Sequence, residues 1–165
     1  MITTTTVNPT IVIENLAQEN ESFHNDLKEI FEINTQVGWG RFNRGSMTRR
    51  AYSDPCPYLV AKVGEAVAGY IISEKNYEGQ AYIPFIATNP DFQGQGIGKK
   101  LMLAAIENAR KDGRTGVVFK YRGNKDHLKK FYTETIPTLA KCTFTTEDHG
   151  KFMNGDPKVG VNYEI

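Results

Sequence analysis

Apolar and polar positions change period several times along this chain, and each change marks an element. Residues 10–14 alternate and predict a first strand. Phe23, Leu27, Ile30 and Phe31 follow at i, i+4, i+7 and i+8, which puts one apolar stripe on a helix. The stretch 38–54, rich in Arg and containing Trp39, Phe42 and Tyr52, fits a short helix or an irregular loop equally well. After Pro55 and Pro57 the pattern becomes strand-like over 58–63 and 66–73. Gly64-Glu65 joins these two runs and suits a two-residue II′ hairpin, since glycine accepts the positive φ of the first turn position. A further strand is expected over 81–88, and it contains Pro84. Proline has no amide to donate, so Pro84 belongs at an edge, a bulge or an already open ladder.

From 97 to 112 the positions Ile97, Leu101, Ala104, Ala105 and Ala109 follow helical spacing, with Gly113 placed to end the helix. Residues 116–121, GVVFKY, predict a strand, so strand, helix and strand form a crossover with parallel strands. A short helix is expected over 124–134, carrying Leu128, Phe131 and Tyr132 on one side and ending before Pro137. Runs at 141–144 and 158–165 predict two last strands around a Gly/Asn/Asp/Pro-rich loop. The expected fold is therefore α/β, with hairpins, a βαβ unit and a terminal hairpin in one mixed sheet covered by helices. Neither a repeat nor a low-complexity linker interrupts it, so residues 1–9 are expected to be a flexible lead and 10–165 a single domain.

Composition narrows the function classes. The 20 Lys+Arg against 19 Asp+Glu leave a net charge of +1, which lacks the positive excess that nucleic acid or an anionic membrane surface requires. Hydrophobic residues make up 39%, enough for a packed core, yet no apolar run approaches the roughly 20 residues of a membrane span. The opening Met1-Ile2-Thr3-Thr4-Thr5-Thr6 lacks the basic and apolar regions of a secretory signal. Cys56 and Cys142 are too few for a disulfide framework, so a reducing, cytoplasmic setting is expected. His24, His127 and His149 are scattered, with no HExxH or CxxC spacing, so no metal is expected.

The chemistry concentrates in Ile86-Ala87-Thr88-Asn89-Pro90-Asp91-Phe92-Gln93-Gly94-Gln95-Gly96-Ile97-Gly98-Lys99-Lys100. It runs from a strand through a turn into a glycine-rich helix start. A helix N-terminus offers unpartnered amides and the positive end of the dipole, and glycines let a diphosphate approach the backbone. Lys99 and Lys100 add positive charge. The bland alternative is a structural glycine turn, but five features in order favour an anion site: a strand, Asn89-Pro90, Gln93, the glycines Gly94 and Gly96, and an amphipathic helix. Neither a GxGxxG fingerprint nor a P-loop can be written here.

Gln93-Gly94-Gln95-Gly96-Ile97-Gly98 resembles the [RQ]-x-x-G-x-[GA] signature of the GCN5-related N-acetyltransferases, and the resemblance is specific over 58–132. It implies a mostly antiparallel mixed sheet with a splayed parallel strand pair, helices on both faces, and acetyl-coenzyme A as cosubstrate. The pantetheine arm would lie in the splay along Ile86, Ala87 and Thr88, and the diphosphate on Gln93, Gly94, Gln95, Gly96, Ile97, Gly98 and Lys99. In the family an Asn near the start of the next helix contacts the cofactor, and a Tyr further along faces the thioester sulfur as general acid. Asn124 and Tyr132 take those places. Two departures stand out: Thr133-Glu134-Thr135-Ile136-Pro137 remodels the helix end, and Lys120 occupies the strand position where some members carry a glutamate base.

The resemblance implies transfer of an acetyl group to an amine by direct attack in a ternary complex. The acceptor, a small molecule or a peptide, would lie between residues 23–52 and a late loop carrying Glu147, Asp148 and His149. A homodimer is left open. The competing expectation is a catalytically silent member that binds acyl-coenzyme A as a sensor or interaction module.

Overall fold

The computed structural model describes residues 9–39, 43–76 and 78–165, so the expected flexible lead lies outside the described residues except for Pro9. The elements run β1 (Ile11–Asn15), α1 (Phe23–Gln36), α2 (Arg44–Ala51), β2 (Tyr58–Val63), β3 (Ala66–Lys75) and β4 (Ala81–Thr88). They continue with α3 (Ile97–Lys111), β5 (Gly116–Arg122), α4 (Asp126–Lys130), α5 (Ile136–Ala140), β6 (Thr143–Lys151) and β7 (Pro157–Glu164). A 3₁₀ turn at Pro90–Phe92 precedes α3, and a π turn at Phe131–Thr135 joins α4 to α5.

The seven strands among the described residues belong to one sheet in the order β1-β2-β3-β4-β5-β7-β6. Every neighbouring pair is antiparallel except β4 and β5, which the α3 crossover makes parallel. The β2–β3 turn has Val63 opposite Ala66 and Gly64 at φ +61°, with Glu65 outside the positive-φ region, as a II′ turn requires.

Strand alternation sends the two sets of apolar residues to opposite faces. Leu59 and Ala61 of β2 face one way and pack with Leu101, Met102 and Ile106 of α3, and with Ile136 and Ala140 of α5. Tyr58 and Val60 face the other way, against Phe23, Leu27 and Ile30 of α1 and Met47 and Ala51 of α2. The helices therefore cover both faces. At roughly 1.5–3 kcal/mol for each fully buried large side chain, these two layers supply the main driving force for folding. Arg110 of α3 pins the end of α5 by donating from Nη2 to Ala140 O at 2.5 Å.

The structure corrects two expectations. The helix expected to stop before Pro137 continues through it. Pro137 has no N–H to give and its ring would clash with the carbonyl four residues back. One extra residue enters the ladder instead, so that Ile136 N–H donates to Phe131 O, five residues back. Pro137 then falls in the first turn of α5, where no amide donor is needed.

The second correction concerns the C-terminal strands. The late loop carrying Glu147, Asp148 and His149 is strand: β6 runs to Lys151, so the turn is confined to the residues between Lys151 and Pro157. The stretch 38–54, for which the sequence allows both a short helix and an irregular loop, contains α2 in its described part, with Met47 and Ala51 buried.

Candidate active site

Strand β4 leads into the site. Its pairing with β5 is limited to Ala81 with Val117, Tyr82 with Val118 and Ile83 with Phe119. Pro84 follows at once, opposite a register shift in the β3–β4 ladder between Ile72 and Glu74. Beyond that shift β4 stays bonded to β3 through Thr88, while it pairs no further with β5. A gap in the ladder thus opens between Ile86-Ala87-Thr88 and the second half of β5, as the missing amide of Pro84 anticipates.

At the far end of the gap the chain turns into α3. Asn89 fixes the turn: its N–H donates to Ala68 O at 2.8 Å and its Oδ1 accepts from Asp91 N–H at 3.0 Å. Gly94 and Gly96 adopt φ of +81° and +74°, a region costly for residues with a Cβ. The first helical acceptor is Gly96 O, which receives Lys100 N–H at 3.0 Å. The amides of Ile97, Gly98 and Lys99 therefore have no intrahelical partner and point out of the helix end. Lys99 folds back so that its Nζ lies 3.9 Å from where a Cβ of Gly96 would stand. Helix dipole, free amides and an ammonium group converge here, as an anion site requires.

Gly98 faces the gap. A Cβ there would lie 3.7 Å from Thr88 Oγ1 and 3.9 Å from the Phe131 ring. Strand β4, the start of α3 and the π turn thus meet at one point, which brings Thr88, Gly98 and Phe131 together.

Tyr132 is buried within that junction. Its ring packs against Phe119 at 4.7 Å, Tyr121 at 5.4 Å and Phe131 at 4.9 Å between centroids. Its carbonyl accepts from Tyr163 Oη at 2.6 Å, which ties the π turn to β7. Burial pushes the Tyr132 phenol up to about 12, so the hydroxyl stays protonated across the neutral range and keeps a proton to donate. Asn124 is turned elsewhere: its Nδ2 donates to Asp156 Oδ1 at 3.0 Å, toward the β6–β7 turn.

On the opposite face of the sheet, the open half of β4 meets α2 and the segment after α1. Trp39 stacks edge-on against Phe85 at 5.2 Å, and Arg50 lies 6.0 Å from the same ring. Arg50 also grips Glu74 in a two-pronged pair, Nε to Oε2 at 3.0 Å and Nη2 to Oε1 at 2.8 Å, and contacts Ser46. Beside this wall the strands β5, β7 and β6 place Lys120, Gly160 and Glu147 side by side in one row.

Two glycines escaped the sequence reading. Gly69 of β3 sits beneath α3: a Cβ there would come within 2.8 Å of both Ala87 O and Ile97 Cγ2. Only glycine lets the start of α3 sit this close to the sheet. Gly160 of β7 is covered by the His149 ring, which a Cβ would strike. A lone glycine inside a strand run signals such close approach, and both AVAGYII and VGVNY carried that signal. Among the described residues no group of three or more His, Cys, Asp or Glu could hold a metal ion, and no helix is long and apolar enough to cross a membrane.

Comparison with known proteins places this geometry. The chain superposes on Ard1 from Thermoplasma volcanium with TM-score 0.73 at 16% identity, covering 94% of this chain and 98% of that one. It matches the ribosomal-protein-S18-alanine N-acetyltransferase from Escherichia coli with TM-score 0.71 at 16% identity, over 94% and 93% of the two chains. Diaminobutyrate acetyltransferase EctA from Paenibacillus lautus, solved with L-2,4-diaminobutyric acid and coenzyme A, gives TM-score 0.74 at 11% identity over 95% and 96%. At such identities the likeness is one of fold. No curated protein matches by sequence. The model of the acetyltransferase (GNAT) family matches residues 20–134, which is more than half of the chain and includes the glycine loop and Tyr132. The chain belongs to the GNAT family of acetyltransferases.

Proposed function

We propose that this protein transfers an acetyl group from acetyl-coenzyme A to a primary amine, by direct attack in a ternary complex, within one domain spanning 10–165. The observation that carries the reading is the end of β4–β5 pairing at Ile83 and Phe119, in a gap that leads to the free amides of α3. An extended pantetheine arm fits such a gap as an extra strand, bonding to the backbone of Ile86, Ala87 and Thr88. The diphosphate then rests on Gln93 to Lys99, with Gly94 and Gly96 supplying the left-handed turns. The coenzyme A bound to the Paenibacillus enzyme supports the same cosubstrate here. Asn124 is proposed to contact the cofactor only on leaving Asp156.

Catalysis rests chiefly on holding thioester and amine together, which removes the entropic cost of their meeting. The amine attacks the carbonyl carbon, the C–S bond breaks, and charge gathers on sulfur. Tyr132 stabilises that charge. Burial makes its phenol a weaker acid than an ordinary thiol. It therefore acts as a hydrogen-bond donor to the departing thiolate, and the proton follows as coenzyme A leaves.

The test of direct attack is kinetic. Double-reciprocal plots in both substrates should intersect, and protein incubated with acetyl-coenzyme A alone should carry no acetyl group by mass spectrometry. Parallel lines together with an acetylated protein would point to a covalent intermediate and reject the mechanism.

A further inference from the structure

We infer that the attacking amine loses its proton to His149. The inference rests on the transferase reading above and adds to it the group that completes the reaction. A lysine, Lys120, stands at the strand position where a carboxylate base would be expected. The structure places another base beside it.

Directly paired residues of an antiparallel ladder project to the same face. Lys120 pairs with Gly160, and Gly160 with Glu147, so one row crosses β5, β7 and β6 on the face that carries Trp39, Phe85 and Arg50. The middle position of that row has no side chain, and the His149 ring lies over it. Glu147 Oε2 is 3.5 Å from His149 Nε2 and balances the charge that the imidazole acquires. Lys120 bounds the row on the other side, and the next row holds Arg122 with Lys158. Phe119 is the last β5 residue paired with β4, so Lys120 is the first to border the gap. His149 is therefore about one strand spacing, roughly 4.8 Å, beyond the strand that lines the thioester.

The step balances simply. The amine nitrogen forms the new bond to the carbonyl carbon and becomes positive. Its surplus proton moves to the imidazole, directly or through one water, as the C–S electron pair goes to sulfur. The imidazolium releases that proton to solvent, and the thiolate gains one from solvent as it leaves.

Two variants test the inference in the full chain, read by thiol release with a reactive amine. His149→Ala, on an exposed strand, should fold normally and lower kcat/KM about 10²-fold, with partial rescue by added imidazole. Gly160→Ala keeps the imidazole but fills its seat, and should cause a similar loss. The thermal shift produced by acetyl-coenzyme A should be unchanged in both, because neither touches the glycine loop. A His149→Ala protein within threefold of wild type would overturn the assignment while leaving the transferase reading intact. A wild-type protein that releases no thiol with any amine would overturn both.

Discussion

Ile83 lies opposite Phe119, and this is the last pair that joins β4 to β5. Everything proposed for the cofactor follows from where that pair stands. Beyond it, the side of β4 that faced β5 has no ladder partner until a ligand supplies one. Hydrogen exchange should therefore slow in segment 84–88 when coenzyme A binds, with little change in β2. Unchanged exchange in 84–88 under saturating coenzyme A would remove the pantetheine from the gap.

Gly98 offers a probe that leaves the fold alone. Its Cβ would stand at ordinary contact distance from Thr88 and Phe131, and alanine favours a helix over glycine by about 1 kcal/mol. Gly98→Ala should thus melt no lower than wild type yet bind coenzyme A more weakly. Gly96→Val, at φ +74°, should abolish the thermal shift altogether. In the wild type, cofactor at about 100 times its dissociation constant should add roughly 2.7 kcal/mol of stability. A full shift in both variants would move the diphosphate away from this loop.

Removing the Tyr132 hydroxyl separates catalysis from packing. Tyr132→Phe keeps the ring contacts to Phe119 and Tyr121. It should cut kcat roughly ten- to hundredfold, the worth of one hydrogen bond to a charged group, with cofactor affinity nearly unchanged. Wild-type kcat in this variant would return Tyr132 to a purely structural role.

Burial also raises the phenols of Tyr58, Tyr70, Tyr121 and Tyr163, and Tyr132 to about 12. Each is neutral when protonated, so at alkaline pH the unfolded chain binds fewer protons than the folded one. Stability from these groups is fully present below about pH 10 and falls as pH rises toward their folded values. Urea midpoints should hold from about pH 7 to about pH 9 and drop steeply above about pH 10. Phenolate absorbance should appear in step with unfolding. Phenolate signal from all of them in a still-folded protein would contradict the burial.

Much of this was readable from residues alone, for identifiable reasons. The Gly64-Glu65 turn, the break at Pro84 and the glycine start of α3 each depend on local backbone chemistry that the sequence states outright. Strand β6 is legible only as far as Phe144, because Thr143–Lys151 is exposed along its whole length and no apolar alternation marks the rest. At α2 the sequence does not decide between helix and loop, because only two of its residues are buried. The passage through Pro137 depends on a shifted ladder register, and the seat of His149 on Gly160 depends on a partner eleven residues away. Neither leaves a periodic trace.

The most direct measurement is thiol release from acetyl-coenzyme A by the wild-type protein across a panel of primary amines, with products identified by mass spectrometry. The account predicts release that depends on at least one amine, with a matching N-acetylated product and no release when Gly96→Val replaces the wild type. Stabilisation by coenzyme A without amine-dependent release from any member of a broad panel would contradict it, and would leave a cofactor-binding protein that performs no transfer.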